Sequence, residues 1–445
     1  MLLSDKIYHM RTLISDLINY SNNTKTISGW LHKRRLLGGI NFLIIRDRTG
    51  LVQVLVKDES EIKKLDGMQL GTVLTISGIV VVDERAPGGV EIHEPSINVD
   101  TPVVDVMPIE IDKPISHKPE HLDTLFENRV LNLRNTQEQK IFKVRSSINR
   151  YFREYLHQAN FVEIQTPKIL AEATEGGAEV FKLDYYSREA TLAQSPQLYK
   201  QIMVGVYERV FEIGPAYRAE PSTTTRHMSE VTMLDIEMGF VKNHAEVLDF
   251  VGNMATEVIK KTYSEHADDL KSLGAPELKL TNDVPKYTVA QIHELYTKDT
   301  GNDTTNEKDL IPAEERWISE YALKKHGTDL VYATEFPVEA MKFYHQINPE
   351  NPKTVLWGDL LFRGLEISTV PLREHHYDVL IEQMKRAGLD VSHPGYKYYL
   401  QAFKFGLPQH GGCGFGIDRF VEKLIGLKNV KEATLFPRDM QRLTP

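Results

Sequence analysis

The chain nearly lacks sulfur chemistry: among 445 residues there is one cysteine, Cys413. A single thiol excludes an intramolecular disulfide and a thiolate metal cluster. Long apolar runs are also missing. No stretch is apolar enough to span a membrane, and the segment Met1 to Arg11 does not read as a signal peptide. A cytoplasmic protein with no membrane partner is the expectation. Positive charge is short as well, 53 Lys and Arg against 62 Asp and Glu leaving −9. That balance argues against wholesale coating of nucleic acid, though not against a local basic patch. No internal repeat is present. What is there is ordinary globular composition, 41% hydrophobic and 26% charged, with room for two or three domains that each bury a core.

Residues 26–100 hold five short β patterns: Thr26–Leu31, Asn41–Arg46, Leu51–Val56, Val73–Val82 and Val90–Val99. Gly38-Gly39, Thr49-Gly50 and Pro87-Gly88-Gly89 punctuate them. Such spacing predicts an all-β barrel of the oligonucleotide/oligosaccharide-binding (OB) type over residues 1–100, whose face commonly receives single-stranded nucleic acid. His32-Lys33-Arg34-Arg35 leaves the first strand, Phe42 offers a stacking face and Gln53 can read a base edge. A barrel with ordinary surface charge would look the same from this segment alone.

Residues 101–125, with four prolines spaced through them, read as a linker. Ile141, Phe142, Val144, Ile148, Tyr151, Phe152 and Tyr155 then fall at helical spacing, and Phe161–Pro167 reads as a strand broken by proline. From there strands and helices mix without regular βαβ alternation. The second domain, residues 126–445, is therefore expected to be α+β, with a mainly helical segment at about 241–330 and a polar stretch at Thr297–Lys308.

The densest chemistry lies at Ala216–Glu220 and Thr225–Glu230, which pack Arg218, Glu220, Arg226, His227 and Glu230 between two alternating flanks. Half-buried hairpin strands carrying a polar loop are predicted. Guanidinium groups suit planar, bidentate contact with phosphate and carboxylate; ion-paired solvated strands would look similar. Four further constellations accompany the hairpin. Glu175-Gly176-Gly177 lies in a loop. Gln194–Lys200 opens a helix with two amides and an ammonium group. Gly411–Arg419 joins a glycine-rich turn to an apolar helix carrying an arginine. Asp359, Glu366 and Thr369 are hard oxygen ligands suited to Mg²⁺ with nucleotide phosphates, although surface acids are commoner than metal sites.

In this order the pieces resemble the three signature motifs of the class II aminoacyl-tRNA synthetases. Motif 1 would be the helix and strand ending at Pro167, motif 2 the Arg218–Glu237 hairpin, and motif 3 the Gly412–Arg419 turn and helix. The N-terminal barrel narrows the resemblance to subclass IIb. Ala173–Gly177, Gln194–Lys200, Thr224–His227, Phe405-Gly406 and Leu435–Pro445 are similar to the archaeal or short bacterial type of aspartyl-tRNA synthetase, with the asparaginyl enzymes as near relatives. The resemblance implies a class II antiparallel-sheet catalytic domain behind an OB-fold anticodon-binding domain, with ATP and aspartate as substrates, Mg²⁺, tRNA and a homodimer. Arg218 would hold the amino-acid carboxylate and the ATP α-phosphate, with Glu220, Arg226 and His227 around adenine and the outer phosphates. Arg419 would meet the nucleotide from the other side, and Asp359, Glu366 and Thr369 would hold Mg²⁺. Lys200 and Arg373 match positions facing the side-chain carboxylate of aspartate, and Glu175, Gln197 and Asp235 those around its ammonium group. In the barrel, Phe42 and Gln53 match positions that stack on and read the central anticodon base. His32 with Pro87 resembles relatives that accept both tRNA(Asp) and tRNA(Asn).

The amino-acid pocket departs from the family. Where relatives run Ser/Thr-Gly-Gly-Gln-Arg, this chain reads Thr369-Val370-Pro371-Leu372-Arg373. Glycines allow close backbone approach; valine adds a branched side chain and proline removes an N–H. Met341 stands where relatives carry Lys or Arg, and Asp418 where Glu precedes the motif 3 arginine. Three readings follow: aspartate–tRNA ligation with compensated drift, a paralogue whose pocket takes another acid or another acyl acceptor, and a binding protein on a degenerate scaffold.

Overall fold

Alternating apolar side chains need a second face to cover them, and the N-terminal strands supply it by closing on themselves. The computed structural model describes residues 11–37, 40–113, 121–171, 179–221 and 224–445. The chain divides into two compact units, Met1–Glu138 and Gln139–Pro445. In the first, β1 (Thr24–Leu37), β2 (Ile40–Arg46), β3 (Leu51–Val56), β4 (Val73–Val82) and β5 (Val90–Thr101) form a closed barrel in the order β1-β2-β3-β5-β4. β4 returns to pair with β1, and β3 with β5 is the parallel pair. Leu43, Ile45, Val52, Val54, Leu74 and Ile76 fill the interior.

The OB barrel is as expected, with one difference. β1 runs well past Leu31, so His32 to Arg35 lie on the strand, with a register shift between Leu31 and Lys33. Lys33, Arg34 and Arg35 pair with Ile44, Leu43 and Phe42 of β2, which keeps the cations on the strand, and His32 sits at the shift itself. Within 101–125, Ile109 and Ile111 are buried with Leu125 in a small apolar cluster. Pro114 and Pro119 lie outside the described residues.

The second unit is built on an eight-stranded sheet. Its strands are β6 (Val162–Glu163), β10 (Arg209–Tyr217), β11 (Glu230–Gly239), β12 (Lys286–Thr288), β13 (Leu330–Thr334), β14 (Trp357–Phe362), β15 (Leu365–Pro371) and β16 (His410–Gly416), ordered β12-β13-β14-β15-β16-β11-β10-β6. Only the outermost pairs are parallel; the central six strands are antiparallel. A second sheet of β7 (Ile169–Leu170), β8 (Lys182–Tyr185) and β9 (Arg188–Leu192) stands beside it in the order β7-β9-β8.

The helix Thr136–Gln158 places Ile141, Val144, Ile148, Phe152 and Leu156 in the core, Phe152 meeting Phe415 edge-on at 5.1 Å. Its apolar stripe therefore packs within its own chain. Helices His244–Glu265, Ala267–Leu273, Val289–Thr300 and Pro312–His326 fill the segment expected to be helical, with β12 the one short strand among them. Thr288 starts Val289–Thr300 with a reciprocal capping box, and Gly301 in the left-handed conformation ends it. Among the described residues no helix is long and apolar enough to cross a membrane.

Candidate active site

The floor of the site follows from alternation on β11. Leu234 and Ile236 point into the core with no exposure, so Asp235 and Glu237 point the other way. Those two acids are buried as well, at 3% and 0% exposure. The hairpin strands were expected to be half-buried; Val210 to Glu212 and Leu234 to Gly239 are covered on both faces, while Glu230 to Met233 stay half-buried or exposed. β16 lies beside β11 and contributes only Gly414 and Gly416 to the cleft wall. The glycines expected in a turn thus belong to a strand. They are needed for close approach: a Cβ at Gly412 would stand 1.9 Å from the Ile236 carbonyl oxygen and 2.7 Å from Glu237 Oε2.

The cleft encloses about 410 Å³ and gathers Gln197, Lys200, Arg218, Glu220, Arg226, His227, Asp235, Glu366, Thr369, Arg373 and Arg419. One end is a dry charged quartet. Lys200 Nζ donates to Asp235 Oδ1 at 3.0 Å and to the Cys413 carbonyl at 2.9 Å, and lies 3.4 Å from Glu237 Oε2. Arg373 Nε donates to Glu237 Oε1 at 3.0 Å, its Nη2 donates to Gln197 Oε1 at 3.0 Å, and its guanidinium lies over the Tyr344 ring. Burial by itself would raise the Glu237 carboxyl; the charges of Arg373 and Lys200 outweigh burial and hold it below its usual range. Cys413 is also buried there, which pushes its thiol up to about 12 and leaves it unreactive.

The other end is open and arginine-rich. Arg218 stands 3.6 Å from Glu220, His227 Nε2 is 3.6 Å from the same carboxylate, and Arg226 pairs with Glu315 at 2.8 Å. Burial first, and then the charges of Arg419, Arg218 and Arg226, lower the His227 pKa against the pull of Glu220, so the imidazole is neutral at pH 7. Arg419 Nη1 donates to Glu366 Oε2 at 3.0 Å, and Thr369 Oγ1 donates to Glu366 Oε1 at 3.0 Å.

Asp359 is not among the lining residues. It pairs in register with Thr369 and accepts from Trp357 Nε1 at 2.7 Å. Burial, with Glu366 and Asp309 adding to it, raises its carboxyl well above the usual range. Asp309 is likewise raised, by burial and by Glu366 and Glu314.

Of the remaining sequence-predicted residues, Glu175 lies outside the described residues. The barrel residues sit in the first unit. Phe42 and Gln53 are half-buried on the outer face of β2 and β3, Gln53 donating to Glu91 at 2.5 Å. Pro87 is half-buried in the turn between β4 and β5. His32 is largely buried at the β1 register shift, its pKa lowered by burial and then by Arg46. The chain departures separate cleanly. Pro371 lines the cleft, whereas Val370 is fully buried and not a lining residue, as alternation on β15 requires. Leu372 is buried with it, and Met341 packs into the apolar cluster of Val289, Ile292 and Phe336 while Lys342 takes the place at the cleft.

Sequence reasoning missed Glu237, Asp309 and Glu315. Glu237 stands two residues after Asp235 on an alternating strand, and that period alone places both on one face. Nothing local marks Asp309 or Glu315; they reach the site because the helix Pro312–His326 packs on β13 to β15.

Comparison with known proteins fits this geometry. Residues 121–440 match the family "tRNA synthetases class II (D, K and N)", and residues 25–100 match the "OB-fold nucleic acid binding domain". Among curated relatives, the aspartate–tRNA(Asp/Asn) ligase of Thermus thermophilus is 38% identical over 98% of this chain and 100% of its own length. The aspartate–tRNA(Asp) ligase of Pyrococcus horikoshii is also 38% identical, over 98% of this chain and 100% of its own. Among solved structures, asparaginyl-tRNA synthetase from Pyrococcus horikoshii complexed with asparaginyl-adenylate superposes with a TM-score of 0.89 at 28% identity, covering 96% of this chain and 97% of that one.

Proposed function

The chain belongs to the class II tRNA synthetases (D, K and N), and we propose that its cleft condenses L-aspartate with ATP and passes the aspartyl group to the 3′ end of tRNA(Asp). The observation that carries this reading is the division of one cleft into two ends. Lys200 and Arg373 lie at a dry end, and Arg218, Arg226, His227 and Arg419 lie at an open end. The first end selects an acid; the second neutralises a polyphosphate.

In this reading the substrate carboxylate attacks the α-phosphorus of ATP, the bond to the β-phosphate oxygen breaks, and pyrophosphate leaves. The terminal ribose hydroxyl of tRNA then attacks the adenylate carbonyl and AMP departs. Arg218 spans the carboxylate and α-phosphate and offsets the charge that develops between them, while neutral His227 can donate a hydrogen bond without a second charge. The chain supplies positioning and charge rather than a covalent nucleophile. Asp359, Glu366 and Thr369, with Asp309 beside them, form a hard oxygen set. Two of these acids are pushed toward the neutral form by burial and mutual repulsion, which is the environment a divalent cation relieves. Mg²⁺ held there would screen the outer phosphates and stabilise the leaving pyrophosphate. On the barrel, Phe42 offers a face for base stacking and Gln53 an amide for a base edge, with His32 and Pro87 near tRNA(Asp) and tRNA(Asn) choice. A homodimer belongs to the same proposal; sedimentation of the purified chain reads it directly.

The deciding experiment is aspartate-dependent exchange of labelled pyrophosphate into ATP with Mg²⁺, run beside asparagine. Exchange with aspartate and a drop of about 10²–10³ in Arg218→Ala are expected. Exchange driven by asparagine alone would replace the substrate, and support the refitted pocket for which Pro371 in the cleft wall is the structural sign.

A further inference from the structure

In this reading Gln197 sits beside the ammonium group of the amino acid, and an amide presents opposite chemistry with its two ends. Something must therefore hold it one way round. Arg373 Nη2, which can only donate, bonds Gln197 Oε1 at 3.0 Å. Gln197 Nε2 then donates to Gln201 Oε1 at 2.9 Å, which also accepts from Tyr399 Oη at 3.2 Å. Gln201 Nε2 faces His410 Nε2 at 2.9 Å, and His410 Nδ1 lies 2.7 Å from the Pro408 carbonyl. That carbonyl can only accept, so Nδ1 carries the hydrogen and Nε2 of the neutral ring is left as an acceptor.

Donor-only and acceptor-only groups thus close both ends of the chain, and every proton in between has one place. Gln197, Gln201, Tyr399, Arg373 and His410 are all at most 3% exposed, so water cannot substitute for a lost partner. We propose that His410, acting through Gln201, is a positioning residue that holds the Gln197 amide with its oxygen on the Arg373 side of the cleft, and so sets affinity for the substrate's ammonium group. The proposal rests on aspartate being the substrate.

If the ring donated from both nitrogens, Gln201 would turn over. Gln197 would follow, its NH₂ would face the Arg373 guanidinium and the ammonium group, and both contacts would become repulsive. Burial keeps the ring neutral, lowering its pKa to about 4.

His410→Leu removes the acceptor, and His410→Gln replaces it with an amide oxygen. Pyrophosphate exchange separates the effects. For His410→Leu the aspartate KM should rise about tenfold, the cost of one misdirected polar contact, with kcat and the ATP KM unchanged. His410→Gln should return the aspartate KM to that of the parent. Gln201→Met cuts the same chain from its other side, and should match His410→Leu even if the leucine variant does not fold. An unchanged aspartate KM in folded Gln201→Met or His410→Leu would overturn the proposal. So would a His410→Gln protein as impaired as the leucine variant, since that pattern reports packing. Absence of aspartate-dependent exchange in the parent protein would instead overturn the functional reading beneath it.

Discussion

Arg373 and Glu237 hold one another through two hydrogen bonds, at 3.0 and 3.3 Å, where water does not reach: they are 2% and 0% exposed. Lys200 lies 3.4 Å from the same carboxylate, so one acid restrains both cations at the dry end of the cleft. Glu237→Gln keeps the shape and removes the charge, leaving Asp235 to balance two buried cations. A loss of about 3–5 kcal/mol is expected, the range for breaking a buried pair from one side. Urea unfolding measures it, and a loss confined to activity would mean the pair is not a structural restraint.

Gly412 and Gly414 lie two residues apart on β16 but face different surroundings. A methyl at Gly412 meets backbone, the Ile236 carbonyl oxygen at 1.9 Å, whereas at Gly414 it meets the flexible end of Met233 at 3.4 Å. Gly412→Ala should lose more than about 4 kcal/mol and fail to accumulate as folded protein. Gly414→Ala should fold with the melting temperature of the parent, and any defect should appear in substrate KM, since Gly414 lines the cleft. Equal melting temperatures for the two variants would contradict the close packing of β16 on β11.

Two of the histidines that burial depresses lie next to the cleft strands β15 and β16. His244, whose Nε2 bonds the Val370 carbonyl at 2.8 Å, and His410 both fall from 6.5 to about 4. Between those values the unfolded chain binds protons that the folded chain does not. Stability should therefore be full above pH 6.5 and fall as pH drops toward 4, by on the order of 3 kcal/mol for each ring. His244→Asn should remove its own share of this dependence and leave that of His410, when urea midpoints are compared at neutral and mildly acidic pH. A slope unchanged by the substitution would mean that His244 is charged in the fold.

The unusual Val370-Pro371 pair should split into two phenotypes. Val370 is buried away from the cleft and Pro371 lines it. Val370→Ala should cost about 1–3 kcal/mol of stability through the void it leaves, without changing the aspartate KM. Pro371→Gly should move the aspartate KM while unfolding close to the parent. Denaturation and exchange kinetics on both proteins test the split; the reverse assignment would place Val370 in the substrate wall.

Much of this was legible in residue order. The five barrel strands, the long helix after Asn135 and the flanks of the Arg218 hairpin are local patterns, and period two or period 3.6 reports them directly. That Arg218, Arg226 and His227 stand together was legible too, because the alternating flanks of the hairpin bring its loop residues to one end. Asp309 and Glu315 were not, since their neighbours are on strands and loops distant in sequence. The burial of Asp235 and Glu237 was also hidden: alternation tells which face a side chain takes, but not whether another element covers it. Gly411 to Gly416 read as a turn because glycine is common there. In the fold they are a strand, and the reason is steric, a neighbour too close for any Cβ at Gly412.

The sequence by itself therefore determined the N-terminal barrel, the antiparallel hairpin and the inventory of charged groups available for adenylate chemistry. Those features depend on short-range backbone periodicity and on residue type. Only the tertiary structure decided which charges meet: Lys200 with Asp235, Arg373 with Glu237, Asp359 with Glu366 and Asp309. It also turned Val370 away from the cleft and Pro371 toward it. The physical reason is that charge pairing and burial act through space between strands far apart in the chain, and their strength is set by how much water the surrounding elements exclude.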